Sequence, residues 1–189
     1  MKTISIIAAL ALSSSAAFAA DKYALDPSHS QVVFNYKHLG FSTTYGMFSG
    51  FEGEITFDEA NPNASAVSVS MPVMSMFTGW EAREGHFMSP DFFGAEETDL
   101  VTFTSTGIEV TGDNTAKITG DLTMNDVTKS VVLDTKLNKI GDNPVSNKPS
   151  IGFDATATVL RSDFNLGAFA PAVSDEVQIA ISIEALKSE

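Results

Sequence analysis

Apolar and polar residues alternate in short runs along most of this chain, and that period of two constrains its fold more than any other feature. A run with this period is an extended strand with one apolar face. Val32, Phe34, Tyr36 and His38 share one face of the first run, with Val33, Asn35 and Lys37 opposite. Phe41 to Tyr45 reads as a connection. Phe51, Gly53, Ile55 and Phe57 alternate next, then Val67, Val69 and Met71, with Pro72 at the strand end. Later runs are Val101 to Ser105, Ile108 to Val110, Ala116 to Met124, Val131 to Leu137, Ile151 to Val159 and Val177 to Ile183. Turn clusters separate them: Asn61-Pro62-Asn63, Gly112-Asp113-Asn114, Asn125-Asp126 and Gly141 to Pro144. Runs of this length with hairpin-sized links predict an all-β, antiparallel domain of about eight or nine strands. A closed barrel and a two-sheet sandwich both satisfy the pattern.

One stretch breaks the alternation. From Thr78 to Phe93 charge appears, with Glu81, Arg83, Glu84 and His86 among aromatic residues. Thr78 followed by Glu81 has the spacing of a capping box, which predicts a short helix over Gly79 to Met88. Ser89-Pro90-Asp91 ends it.

The first residues are of a different kind. Lys2, the apolar run Ile4 to Leu12 and the small-residue site Ala17-Phe18-Ala19 predict a cleaved export signal over residues 1–19. The apolar run is too short to span a bilayer. The expected mature domain is residues 20–189, a periplasmic location follows in a Gram-negative cell, and no stable membrane insertion is expected. Without Lys2 the chain carries 10 basic and 24 acidic side chains, which repel a phosphate backbone and exclude nucleic acid as a natural partner. The chain has no cysteine, so thiol catalysis and cysteine-bound metals are excluded.

Chemistry is sparse. Asp26, Ser28 and His29 could be imagined as a nucleophile set, but no nucleophile-elbow motif surrounds them. His29, His38 and His86 are the only histidines, and no HxH or HExxH spacing links them. A three-histidine metal site is therefore a distant alternative. The expectation is a protein without catalytic residues, metal or cofactor.

The remaining question is what the apolar faces bury. Thirteen of the fourteen phenylalanines follow the signal. Phe on a strand is ordinarily core, and on pattern alone a filled interior is the simpler reading. An eight-stranded barrel can also hold one small ligand. Gly53 and Gly120 leave room on inward faces, and Met71 and Met124 offer adaptable lining.

Ordered motifs bear on that choice. Tyr23-x-Leu25-Asp26-x-Ser28-His29-Ser30-x-Val32-x-Phe34, with His38 and Gly46-x-Phe48, resembles the start of the YceI-like family. So do Arg83-Glu84-Gly85-His86-Phe87, Thr102-Phe103-x-Ser105, Gly120 to Lys129, Arg161-Ser162-Asp163-Phe164 and Val173 to Val177. Asp126 and Asn165 stand where that family usually has Gly, and Ser130 where it has Pro. The resemblance implies an eight-stranded lipocalin-like barrel with a short helical insertion. It implies an isoprenoid-chain lipid, such as a quinone precursor or another long-chain apolar molecule, in an apolar tunnel. The implied lining is Phe34, Tyr36, Phe48, Phe51, Met71, Phe87, Phe92, Phe93, Phe103, Leu122, Met124, Phe153 and Phe164. His38, Arg83 and His86 are the implied neighbours of a polar head. A homodimer is compatible with this reading. The rival from another class is a stress-related structural or interaction protein with a filled core.

Overall fold

A computed structural model describes residues 20–188. Ten strands follow the alternating runs: β1 (Asp21–Leu25), β2 (Gln31–His38), β3 (Ser42–Phe48), β4 (Glu52–Phe57), β5 (Ala66–Pro72), β6 (Leu100–Gly112), β7 (Thr115–Met124), β8 (Val127–Asp142), β9 (Pro149–Leu160) and β10 (Glu176–Lys187). One helix, α1 (Glu81–Met88), lies between β5 and β6. All neighbours pair antiparallel, in the order β1-β4-β5-β6-β7-β8-β9-β10, and β10 returns to β1. These eight strands form a closed barrel.

The remaining two form a ribbon on the same edge of β10. Its first half pairs with β2, from Gln178↔Asn35 to Ser182↔Gln31, and its last residues pair with β1, from Ala185↔Leu25 to Lys187↔Tyr23. β1 and β2 are thus one bent strand, broken at Asp26 to Ser30. The break is closed by hydrogen bonds: the Asp26 amide donates to the Glu184 carbonyl (2.8 Å), and the Ser28 amide and hydroxyl donate to the Asp26 carboxylate (2.9 and 2.6 Å).

Three expectations change. Phe41 to Tyr45 is not a connection, because Ser42 to Phe48 pair with β2 across the tight bend Leu39-Gly40, where both residues have positive φ. The runs at Val101 and Ile108 are one strand, bent by a register shift between Ser105 and Gly107. The helix starts at Glu81 and has no Thr78–Glu81 box. Glu84 reaches back instead, its Oε1 accepting from the amides of Thr78 (2.6 Å) and Gly79 (3.1 Å). Those bonds hold the Glu84 carboxyl below its ordinary value, with the Thr78 amide the largest cause.

Inward side chains form three contiguous clusters. Tyr23, Phe51, Ile55 and Ile151 pack at the β1–β4 side, Phe34, Tyr36, Phe48 and Met76 under α1, and Phe103, Leu133 and Ala155 on the opposite wall. Gly120 does not leave room for a ligand: a Cβ there would overlap the Phe103 ring, so its space is already taken. Gly53 serves close backbone approach, because a Cβ would strike the backbone of Ser68 and Val69.

Candidate functional site

The barrel interior is not filled. A cavity of about 480 Å³ runs through it, walled by apolar side chains from every strand of the barrel except β1. Phe34 and Tyr36 enter from β2, Phe48 from β3, Phe51 from just before β4, Ile55 from β4 and Met71 from β5. Phe103, Leu122 with Met124, Phe153 and Ile181 come from β6, β7, β9 and β10. The period of two puts them there, since every second residue of a barrel strand faces inward. The lined part of β7, Ala116 to Met124, spans about 26 Å at the usual rise per residue.

One end of the cavity is covered. Phe87 of α1 and Phe92 and Phe93 beyond it line the cavity from above. Their rings make an edge-to-face series, with centroids 6.1 Å apart for Tyr36–Phe87 and 5.2 Å for Phe87–Phe92. Twelve of the sixteen residues expected to touch a ligand therefore line this space.

The other four do not. His38 is exposed at the end of β2, bridged to Val173. Arg83 lies over the Trp80 ring, 5.5 Å from its centroid, and donates to the Thr78 carbonyl (3.3 Å), which pins the start of α1. His86 is exposed on the outer side of Phe92, with Nε2 3.4 Å from Asp91 Oδ2. Phe164 is fully buried behind the wall, beneath the 3-10 turn Arg161–Phe164, and its carbonyl accepts from Asn125 Nδ2 (2.9 Å). None of the three cationic or titratable candidates lines the cavity: His38 sits at the end of β2, Arg83 on Trp80 at the start of α1, and His86 against Phe92.

Two charged lining residues that the sequence reading did not name as lining mark the ends of the cavity. Arg161 faces the covered end of the cavity. Its Nε donates to the Ser174 carbonyl (2.9 Å), Nη1 to Leu166 (2.6 Å) and Ala168 (3.0 Å), and Nη2 to Val173 (2.9 Å). It ties the loop from Leu166 to Ser174 across the barrel end. Asp163 is not its partner; the neighbouring carboxylate is Asp175, which accepts from the Ser162 amide (2.8 Å) and hydroxyl (2.6 Å). Burial lowers the Arg161 guanidinium from its ordinary value, opposed by Asp175 and Tyr36. At the opposite end the missed residue is Glu59, an exposed lining residue. Both were legible by parity, as Arg161 continues the inward series through Val159, and Glu59 the series through Phe57.

The Asp26-Ser28-His29 nucleophile set and the three-histidine site do not assemble. Ser28 Oγ and Asp26 Oδ2 both approach Nδ1 of His29, at 3.1 and 2.9 Å, whereas a relay needs the two imidazole nitrogens on different partners. His29 lies in the break before β2 and His38 at its far end, and β2 alone spans roughly 23 Å between Gln31 and His38. They cannot share an ion.

A small antiparallel barrel closed around an internal apolar cavity, with a helical cover at one end, is the class this geometry defines. The chain belongs to the YceI-like family, whose domain profile matches residues 23–185. It is 40% identical to the protein YceI of Escherichia coli over 184 residues, covering 96% of this chain and 95% of the relative. Among solved structures it resembles Burkholderia cenocepacia BcnA, with a TM-score of 0.76, 26% identity, and 85% and 99% of the two chains covered. It also shares the fold of a polyisoprenoid binding domain from Saccharophagus degradans implicated in plant cell wall breakdown, at a TM-score of 0.68 and 15% identity, covering 88% and 98%.

Proposed function

We propose that this protein binds and carries a lipid with an isoprenoid chain, working in the periplasm after loss of residues 1–19. The observation that carries the reading is the continuous apolar cavity. An isoprenoid tail is insoluble, and each buried methylene gains roughly 0.8 kcal/mol. Capture therefore needs a dry, preformed space and few polar groups. The polyisoprenoid binding domain from Saccharophagus degradans, a barrel of the same fold, supports the same assignment. A stress-related structural protein with a filled core is disfavoured by the cavity itself.

Native mass spectrometry of the purified protein tests the carrier reading. An adduct of several hundred daltons, lost on organic extraction and regained with a polyprenol, is expected. A bare protein that takes up no polyprenyl compound overturns it. Phe103→Asp, placing a carboxylate on the cavity wall, should abolish uptake in protein that retains its far-UV spectrum. Cell fractionation with N-terminal sequencing tests location, and Ala20 is the expected first residue of the mature form.

A further inference from the structure

The two ends of the cavity are chemically unlike. At the covered end the lining residues Phe87, Phe92, Val173 and Leu166 are buried or half-buried. The cation there, Arg161, already gives four hydrogen bonds to backbone carbonyls. A guanidinium has five N–H groups, so one is left for anything else. A phosphate placed there would have to desolvate against a wall of phenylalanine with almost no free donor, which is costly.

At the other end the lining itself reaches solvent. Glu59, Val110, Gly112, Asn114 and Thr115 line the cavity and are exposed. They belong to the β4–β5 loop and to the β6–β7 turn with the strand ends that flank it. A head group here keeps its water while the tail is buried. The charge at this rim is negative. Around this end Asp21, Asp58, Glu59, Asp113 and Asp142 stand with Lys22, Lys148 and Lys187, and two of these cations are already paired, Lys22 with Glu54 and Lys187 with Asp21. Acceptors predominate, so the rim suits a hydrogen-bond donor and repels an anion.

On the carrier reading, we propose that the lipid enters tail first through the end opposite α1. Its polar head rests between Glu59 and Asn114, and that head is an uncharged donor such as a hydroxyl, not a phosphate. His38, Arg83 and His86 take no part.

The absence of cysteine makes the position directly measurable. Asp113→Cys and Asp91→Cys, each carrying a nitroxide, place one quencher at either end. The probe is farnesylamine dansylated on its nitrogen. Strong quenching from position 113 and little from position 91 is expected; the reverse pattern overturns the proposal. Equilibrium dialysis supplies the chemical arm. Geranylgeraniol should bind at least tenfold more tightly than geranylgeranyl phosphate at low salt, and Glu59→Lys should strengthen phosphate binding several-fold. Equal or tighter binding of the phosphate to the native chain overturns the head-group assignment while leaving the carrier reading intact. Failure of both geranylgeraniol and the dansyl probe to bind overturns both readings.

Discussion

Two of the three departures from the family pattern, Asp126 and Asn165, fall at residues with positive φ. Asn125 and Asp126 both stand in the left-handed region, at φ of 52° and 59°, joining β7 to β8 in a two-residue turn. That geometry favours Asn-Gly, and a Cβ at the second position is strained. Asp126→Gly should raise stability by about 0.5–1 kcal/mol, read as a higher urea midpoint at unchanged slope. Asn165 likewise has φ of 59° and ends the Arg161–Phe164 turn, a position that Asn tolerates better than other side-chain-bearing residues. These two departures therefore fall on turn geometry and not on the cavity. The Asp26–His29 contact makes a second prediction. The His29 imidazole is raised above its ordinary value of 6.5, first by the hydrogen bond to Asp26, while the Asp26 carboxyl is lowered, first by the Ser28 hydroxyl. The contribution of His29 is full below its unfolded value and fades as pH rises through its higher folded one. That of Asp26 is full above its unfolded value near 3.8 and is lost as pH falls through its lower folded value. The pair helps most between roughly pH 4 and 6.5. By NMR, His29 should titrate above 6.5, and Asp26→Asn should return it toward that value.

At the scale of elements, most strands and the four turns between β4 and β9 were legible, while β3 and the tight bend before it were not. The inward face of β2 could be written down from Val32, Phe34 and Tyr36, and β7 and β9 were equally plain. β3 was hidden because Ser42-Thr43-Thr44 has no apolar member, so its first half carries no alternation. Its pairing with β2 is set by the bend at Leu39-Gly40, which hydropathy does not report. The lid was legible as a helix but not as to which face it turns inward. Arg83 and His86 looked like head-group ligands because motif order carries no information on side-chain direction. The loop from Leu166 to Ser174 depends on Arg161. Arg161→Gln would leave several half-buried carbonyls without a donor, and a loss of about 2–4 kcal/mol is expected. Hydrogen exchange in that loop should accelerate more than in β5 or β6, which Arg161 does not touch.

For the molecule as a whole, alternation alone left barrel and sandwich open, and pairing between the first and last strands decides between them. That information lies in contacts across the full length of the chain, which a local pattern does not contain. The cavity could be anticipated only through family likeness, because Phe on a strand reads the same whether it packs on protein or faces a void. Filling it is a global test: Leu122→Trp should reduce the capacity for geranylgeraniol by at least half in protein of unchanged or raised thermal stability. The three-way pairing of β10 has a further consequence. β9 finds one partner in it along its whole length, and the two halves of the bent β1–β2 strand find theirs on its other edge. None of these edges is satisfied until the last twelve residues of the strand region, Glu176–Lys187, are in place. A chain still lacking these residues consequently holds an open sheet and no sealed interior, with closure left to contacts that are almost a chain length apart and slow to form. The compartment in which the barrel closes is therefore where the container comes into being, and on the carrier reading the lipids present there are the first it can enclose.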